Sequence, residues 1–183
     1  KAMQPCIRFS REECIDLPPT TYHTREVPLT PEQGKAYNEM LRTLKIEYEG
    51  GQVLAVNEAV KLGKLVQIAT GCAYDVHGNE VPLPCGPRIE VTSEIIEEAE
   101  GKVIVFVPYT SALLGLAEAL RKEFTVETVY GQTSHNERSR IFKDFQHATN
   151  PRVIVADART MSHGLSLTRA NTIIWFGPTT STE

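Results

Sequence analysis

The segment Arg159-Thr160-Met161-Ser162-His163-Gly164-Leu165-Ser166 places an arginine, hydroxyl side chains, an imidazole and a glycine on one short stretch. It lies between two β-branched apolar runs, Val153-Ile154-Val155-Ala156 and Thr172-Ile173-Ile174-Trp175-Phe176. Dense polar groups between two rigid strands are where chemistry is expected. Two further junctions have similar character. Pro108-Tyr109-Thr110-Ser111 follows an apolar run and opens a helical pattern. Hydroxyls and free backbone N–H groups at a helix N-terminus form a phosphate site, although plain N-capping accounts for the same residues. Tyr130-Gly131-Gln132-Thr133-Ser134, followed by Arg138 and Arg140, is a candidate loop that, taken alone, reads better as a capped surface helix with solvated charges. No Gly-x-x-x-x-Gly-Lys-Ser/Thr, Gly-x-Gly-x-x-Gly or Gly-x-Ser-x-Gly pattern occurs, so the chain has no phosphate-cradling glycine loop and no nucleophile elbow.

The elements that would position these loops alternate. A helix is expected over 89–99, a strand over 103–107, a helix capped by Thr110 or Ser111 to about Lys122, and a strand over 125–130. A helix opened by the capping pattern Ser134-His135-Asn136-Glu137 then runs to Phe145, and strands follow at 153–156 and 172–176. Continuous Val/Ile runs suit strands buried on both faces. The fold class is therefore α/β, a doubly wound parallel sheet with helices on both faces, preceded by a mainly helical segment. In such sheets ligands bind at the carboxyl ends of the strands. Upstream, residues 1–22 read as an extended tail or linker, and residues 23–87 as a helical bracing segment with a hairpin. Within that segment Arg25–Leu29 suggests a short edge strand. Thr30-Pro31-Glu32-Gln33 starts a helix that apolar spacing carries to Tyr48, where Gly50-Gly51 stops it. A second helix is expected from about Val53 to Ala69, then a hairpin around Tyr74–Val81, and Pro82, Pro84 and Pro87 mark a boundary.

Composition narrows the function classes. With 183 residues there is room for one domain with an appendage, and 41% hydrophobic with 23% charged residues is ordinary for a globular protein. A net charge of −4 means that any nucleic-acid contact is local. No apolar run approaches the roughly 18–20 residues of a membrane span, and the first residues lack the apolar core of a signal peptide. Cytoplasmic residence is expected, with Cys6, Cys14, Cys72 and Cys85 reduced. Cys72, His77 and Cys85 fit no common zinc spacing, and no metal site is assigned. His163 reads as a hydrogen-bonded structural histidine, and Trp175 as a core residue rather than a base-stacking platform.

The order and spacing of Lys102–Ser111, of Tyr130–Ser134 with Glu137-Arg138 and Phe142-x-x-Phe145, and of Gly164-Leu165-Ser166-Leu167-Thr168-x-Ala170 resemble the second RecA-like lobe of a superfamily-two helicase. The resemblance is to the Swi/Snf-like branch of DNA-dependent ATPases in its phage or prophage form. It lies mostly in residues 102–183. Val27-x-Leu29-Thr30-x-x-Gln33-x-x-x-Tyr37 and Lys64-Leu65-x-Gln67-Ile68 resemble the segment that precedes the lobe.

That resemblance implies a truncated second lobe over 88–183, and a first RecA-like lobe of the same parent that supplies the Walker lysine and the Asp-Glu pair for magnesium. It implies DNA as partner, with backbone contacts from Tyr109, Thr110, Ser111, Gly131, Gln132, Thr133, Arg159 and Thr160. Gly164 and Ser166 correspond to the ATP side. An arginine finger normally follows the last strand, and this chain ends just short of it, so ATP and magnesium are expected to be used by the intact parent and no catalytic residue is assigned here. The sequence departs from relatives at Ala158, where a threonine is usual, with Thr160 as a substitute, at Met161-Ser162, where a glycine pair is common, and at Ser166, where asparagine is common. A stand-alone module that binds DNA or protein, and an unrelated α/β enzyme such as a nucleotide-sugar transferase, are the alternatives. The latter needs a carboxylate or metal cluster at strand ends, where only Asp157 is available.

Overall fold

The computed structural model describes residues 20–43, 45–48, 51–54, 58–75, 77–161 and 166–178. Most of the expected tail at 1–22 lies outside these residues. Along the chain the elements are α1 (Pro31–Thr43), β1 (Lys45–Tyr48), β2 (Gly51–Leu54), α2 (Glu58–Ala69), β3 (Cys72–Tyr74), β4 (Glu80–Pro82), α3 (Gly86–Glu98), β5 (Lys102–Phe106), α4 (Thr110–Leu120), β6 (Val126–Val129), α5 (His135–His147), β7 (Val153–Ala156), a short 3-10 turn (Ala158–Thr160) and β8 (Ala170–Trp175).

The expected Val/Ile runs form one four-stranded sheet in the order β6-β7-β5-β8, every neighbouring pair parallel. The chain steps from β5 past β7 to β6, then reverses through β7 and passes β5 to reach β8. Right-handed crossovers therefore place α4 and α5 on opposite faces. The side chains follow. Val103, Val105, Val153 and Val155 pack with Leu113, Leu116 and Leu120 of α4 and Ile96 of α3. Ile104 and Ile154 point the other way, onto Ile141 and Phe145 of α5. Every residue of β7 is buried. Burying each such aliphatic side chain contributes about 1.5–3 kcal/mol, which fixes the carboxyl ends of these strands as a rigid base. The β7–β8 connection runs over the α5 face, where Met161 and Leu167 rest on the same cluster.

The segment before the sheet has its own core of Ala36, Met40, Leu65, Ile68, Ala73, Val81 and Leu83. The Thr30–Gln33 capping box forms in both directions, at 3.2 and 3.1 Å. The hairpin at Tyr74–Val81 is present as antiparallel β3 and β4, its turn closed by Asp75, which accepts from the N–H groups of His77 and Asn79 at 2.8 Å each.

Several expectations are corrected. The first helix stops at Thr43 rather than Tyr48, and Lys45–Tyr48 instead pairs antiparallel with Gly51–Leu54 in the register Tyr48↔Gly51. The polar and apolar residues of Lys45–Tyr48 alternate, a period of two that suits a strand better than continued helix. The second helix accordingly starts at Glu58, not near Val53. Residues 25–29 form no strand; Pro28 has no N–H for a ladder. Trp175 is not core. It is 56% exposed, as is Ile173 beside it, because β8 is an edge strand of the described sheet and α5 covers its neighbours. The Trp175 ring rests on Phe106 with centroids 4.7 Å apart.

Candidate nucleic-acid interface

All three polar loops stand at the carboxyl ends of adjacent parallel strands. The first, Pro108–Ser111, leaves β5 toward the α4 face, and the third, Asp157–Met161, leaves β7 toward the α5 face. Neighbouring strands whose connections part to opposite faces open a crevice between them. Tyr109 belongs to the loop on one side of it and Arg159 to the loop on the other.

In the first loop Val107 N–H donates to the Ala156 carbonyl at 2.9 Å, which joins it to the end of β7. Neither Thr110 nor Ser111 caps α4, contrary to expectation. The N-cap residue is Tyr109, extended and without a side-chain cap bond. Thr110 is exposed and Ser111 half-buried. The Tyr109 hydroxyl donates to the Gly63 carbonyl of α2 at 3.1 Å, and burial pushes its pKa up.

The second loop folds on itself. Thr133 is buried, its hydroxyl accepts from Tyr130 N–H at 3.0 Å and its own N–H donates to the Tyr130 carbonyl at 3.0 Å. This leaves Gly131 and Gln132 as the exposed residues. Ser134 caps α5, accepting from Glu137 N–H at 3.3 Å. Arg140 is the expected solvated charge, paired with Glu127 at 3.1 Å and Asp144 at 3.3 Å. Arg138 is not. It is half-buried, donates to the Thr160 carbonyl at 3.4 Å, and has a buried Nε without a partner among the described residues.

The third loop turns on Asp157. Its carboxylate accepts from the Arg159 backbone N–H at 3.1 Å and from the guanidinium at 3.2 and 2.9 Å. This bond and the attendant charge raise the arginine's pKa further above its ordinary value, while the Arg159 side chain stays 77% exposed. The Thr160 hydroxyl donates to the Asp157 carbonyl at 2.7 Å and reaches the Val129 carbonyl at 3.4 Å, while Asp157 N–H donates to that same carbonyl at 3.0 Å. The second and third loops are thereby tied together. Gly164 and His163 lie outside the described residues, and Ser166 is exposed. Of the two residues expected on the nucleotide side, Ser166 alone is among the described residues. Among the described residues no group of three or more His, Cys, Asp and Glu could hold a metal, and no helix is long and apolar enough to cross a membrane. A depression of about 240 Å³ lined by Thr125, Glu127, Arg140 and Asn150 lies at the opposite, amino ends of β6 and β7.

Sequence reasoning missed Tyr74, whose hydroxyl accepts from Ser111 N–H at 3.4 Å, and the inward turn of Arg138. Neither has a local signature, because each partner is distant in sequence.

Comparisons with known proteins accord with this arrangement. Residues 87–183 match the family described as "Helicase conserved C-terminal domain". The chain is similar to the C-terminal domain of the Sulfolobus solfataricus SWI2/SNF2 ATPase, at 27% identity and a TM-score of 0.58 over 82% of this chain and 68% of that one. It is similar to the core domain of that ATPase at 26% identity and TM-score 0.65, over 92% of this chain and 36% of the other. A third similar structure is the same core in complex with dsDNA, at 27% identity and TM-score 0.56, over 82% and 33%. The chain thus spans about a third of the length of the two core structures. No curated protein matches it. With its RecA-like α/β sheet and a family match over more than half its length, the chain belongs to the helicase conserved C-terminal domain family.

Proposed function

We propose that this chain contributes the second lobe of an ATP-dependent DNA translocase or helicase of the Swi/Snf-like branch, offering contacts to the nucleic-acid backbone and one wall of an ATP cleft. The observation that carries the reading is the crevice at the strand-order reversal, with the exposed Thr110 in the loop on one side and the exposed Arg159 in the loop on the other. The exposed groups around it are the Thr110 hydroxyl, the Gly131–Gln132 backbone and the Arg159 guanidinium. Such groups hydrogen-bond phosphate oxygens and follow a backbone without reading base edges. Asp157 holds Arg159 in one orientation, so less side-chain freedom is lost when a phosphate binds. Few cations take part, so binding is weak, independent of sequence, and only modestly salt-dependent.

The relative solved with dsDNA supports duplex DNA as the polymer. ATP and magnesium belong in this reading to the intact parent, between this lobe and a first RecA-like lobe, with Gly164 and Ser166 on the nucleotide side. A phage or prophage origin and a cytoplasmic site of action rest on the residue pattern alone.

The test is made in the parent enzyme. Thr110→Ala combined with Ser111→Ala lowers DNA-stimulated ATPase by about tenfold, the loss of one or two hydrogen bonds, and leaves basal ATPase in place. Equal loss of both activities contradicts the reading.

A further inference from the structure

The first loop is incomplete without the segment before the sheet. A helix leaves its first N–H groups without intrahelical partners, and α4 has no side-chain cap of its own. A group from β3 meets one of these donors: Ser111 N–H donates to the Tyr74 hydroxyl at 3.4 Å. A contact of opposite sense returns from the loop, since Tyr109 donates its hydroxyl hydrogen to the Gly63 carbonyl. The strand that carries Tyr74 is itself pinned. Lys64 Nζ donates to the Tyr74 carbonyl at 2.6 Å, and Tyr74 N–H donates to Gln67 Oε1 at 3.4 Å. Gly71, which turns the chain from α2 into β3, has φ +89° and would bring a Cβ to 2.5 Å from Cys85 Sγ. On the other side Gly177, just beyond β8, passes so close to Thr70 that a Cβ there would lie 2.8 Å from the Thr70 methyl.

We propose that Tyr74 is a positioning residue for the first loop. Its hydroxyl caps α4 from outside the lobe and sets where Thr110 and Ser111 stand against a nucleic-acid backbone. The inference rests on the reading of that loop as a DNA contact. A Ser, Thr, Asn or Asp cap would move with α4 itself. A cap borrowed from β3 makes the placement of the loop depend on how the segment before the sheet sits on the lobe. The phenol suits this task because its ring is half-buried and stiff.

Tyr74→Phe removes the hydroxyl and keeps the ring. Two readouts are taken on the whole 183-residue chain: amide hydrogen exchange at Ser111 and Ala112, and affinity for a short labelled DNA duplex by fluorescence anisotropy at several salt concentrations. The expected result is faster exchange at Ser111, with the amides of β5 and β7 unchanged, and duplex affinity reduced about three- to tenfold at an unchanged salt slope. An unaltered slope separates misplacement of the loop from loss of a phosphate contact. Unchanged exchange at Ser111 overturns the cap. Faster exchange with unchanged affinity overturns the positioning role. A wild-type chain that binds no duplex sinks the DNA reading and this inference with it, and the exchange data then distinguish that failure from failure of the cap.

Discussion

The first loop and the paired second and third loops occupy the same edge of one sheet, yet they are held in different ways. The second and third loops are fixed by their own lobe. Thr160 and Asp157 reach the Val129 carbonyl, Arg138 reaches Thr160, and Ser134 caps α5. The first loop has no such local cap and takes its partners from α2 and β3, through Gly63 and Tyr74. The lobe alone therefore specifies the second and third loops, whereas the first depends on a segment with a separate apolar core.

Gly71→Ala should break this contrast most strongly. A positive φ with a Cβ pressed on Cys85 costs about 2–3 kcal/mol. The loss should appear as faster amide exchange in β3 and at the start of α4, with residues 130–134 and 157–160 unaffected. Uniform loosening of all three loops would erase the distinction.

Alkaline pH should act on the same junction. Burial pushes the Cys72 thiol up to about 11 from an ordinary 9.0. The folded state therefore holds that proton more tightly than the unfolded chain. The associated stability is fully present below about pH 9 and is lost as pH rises toward 11, by about 2 kcal/mol. Tyr74 and Tyr109 shift in the same direction for the same reason. Denaturant unfolding between pH 8 and 11 should show this fall, flattened in Cys72→Ala; an equally steep fall in that variant would assign it elsewhere.

The smallest effect belongs to the second loop. Ser134→Ala removes the cap of α5 and should cost about 1 kcal/mol, read as a lower unfolding midpoint, with exchange at Ser111 unchanged. A response at Ser111 would mean that the two regions are coupled after all.

Much of the lobe was legible in the sequence because its signals are local. The runs 103–107 and 153–156 are continuously apolar, as strands covered on both faces must be, and Thr30–Gln33 and Ser134 carry their caps within one turn. The helix expected as far as Tyr48 failed because Tyr37, Met40, Leu41, Leu44 and Tyr48 fit a helical spacing that the pairing of Lys45–Tyr48 with Gly51–Leu54 overrides. Trp175 failed because exposure of an edge strand depends on which helix lies over it, and composition does not carry that. The loops were legible as polar clusters at strand ends. The Tyr74 cap was not, since its partner stands 37 residues away and only the packing of β3 on the lobe brings them together.

In the proposed function all three loops face one nucleic-acid backbone. Amide exchange of the 183-residue chain, with and without a saturating short DNA duplex, checks this. Added protection is expected at 109–111, 131–133 and 159–160 together, and none at the amino ends of β6 and β7. Protection confined to the Thr125–Asn150 depression, or a bound duplex that leaves the three loops unchanged, would contradict it.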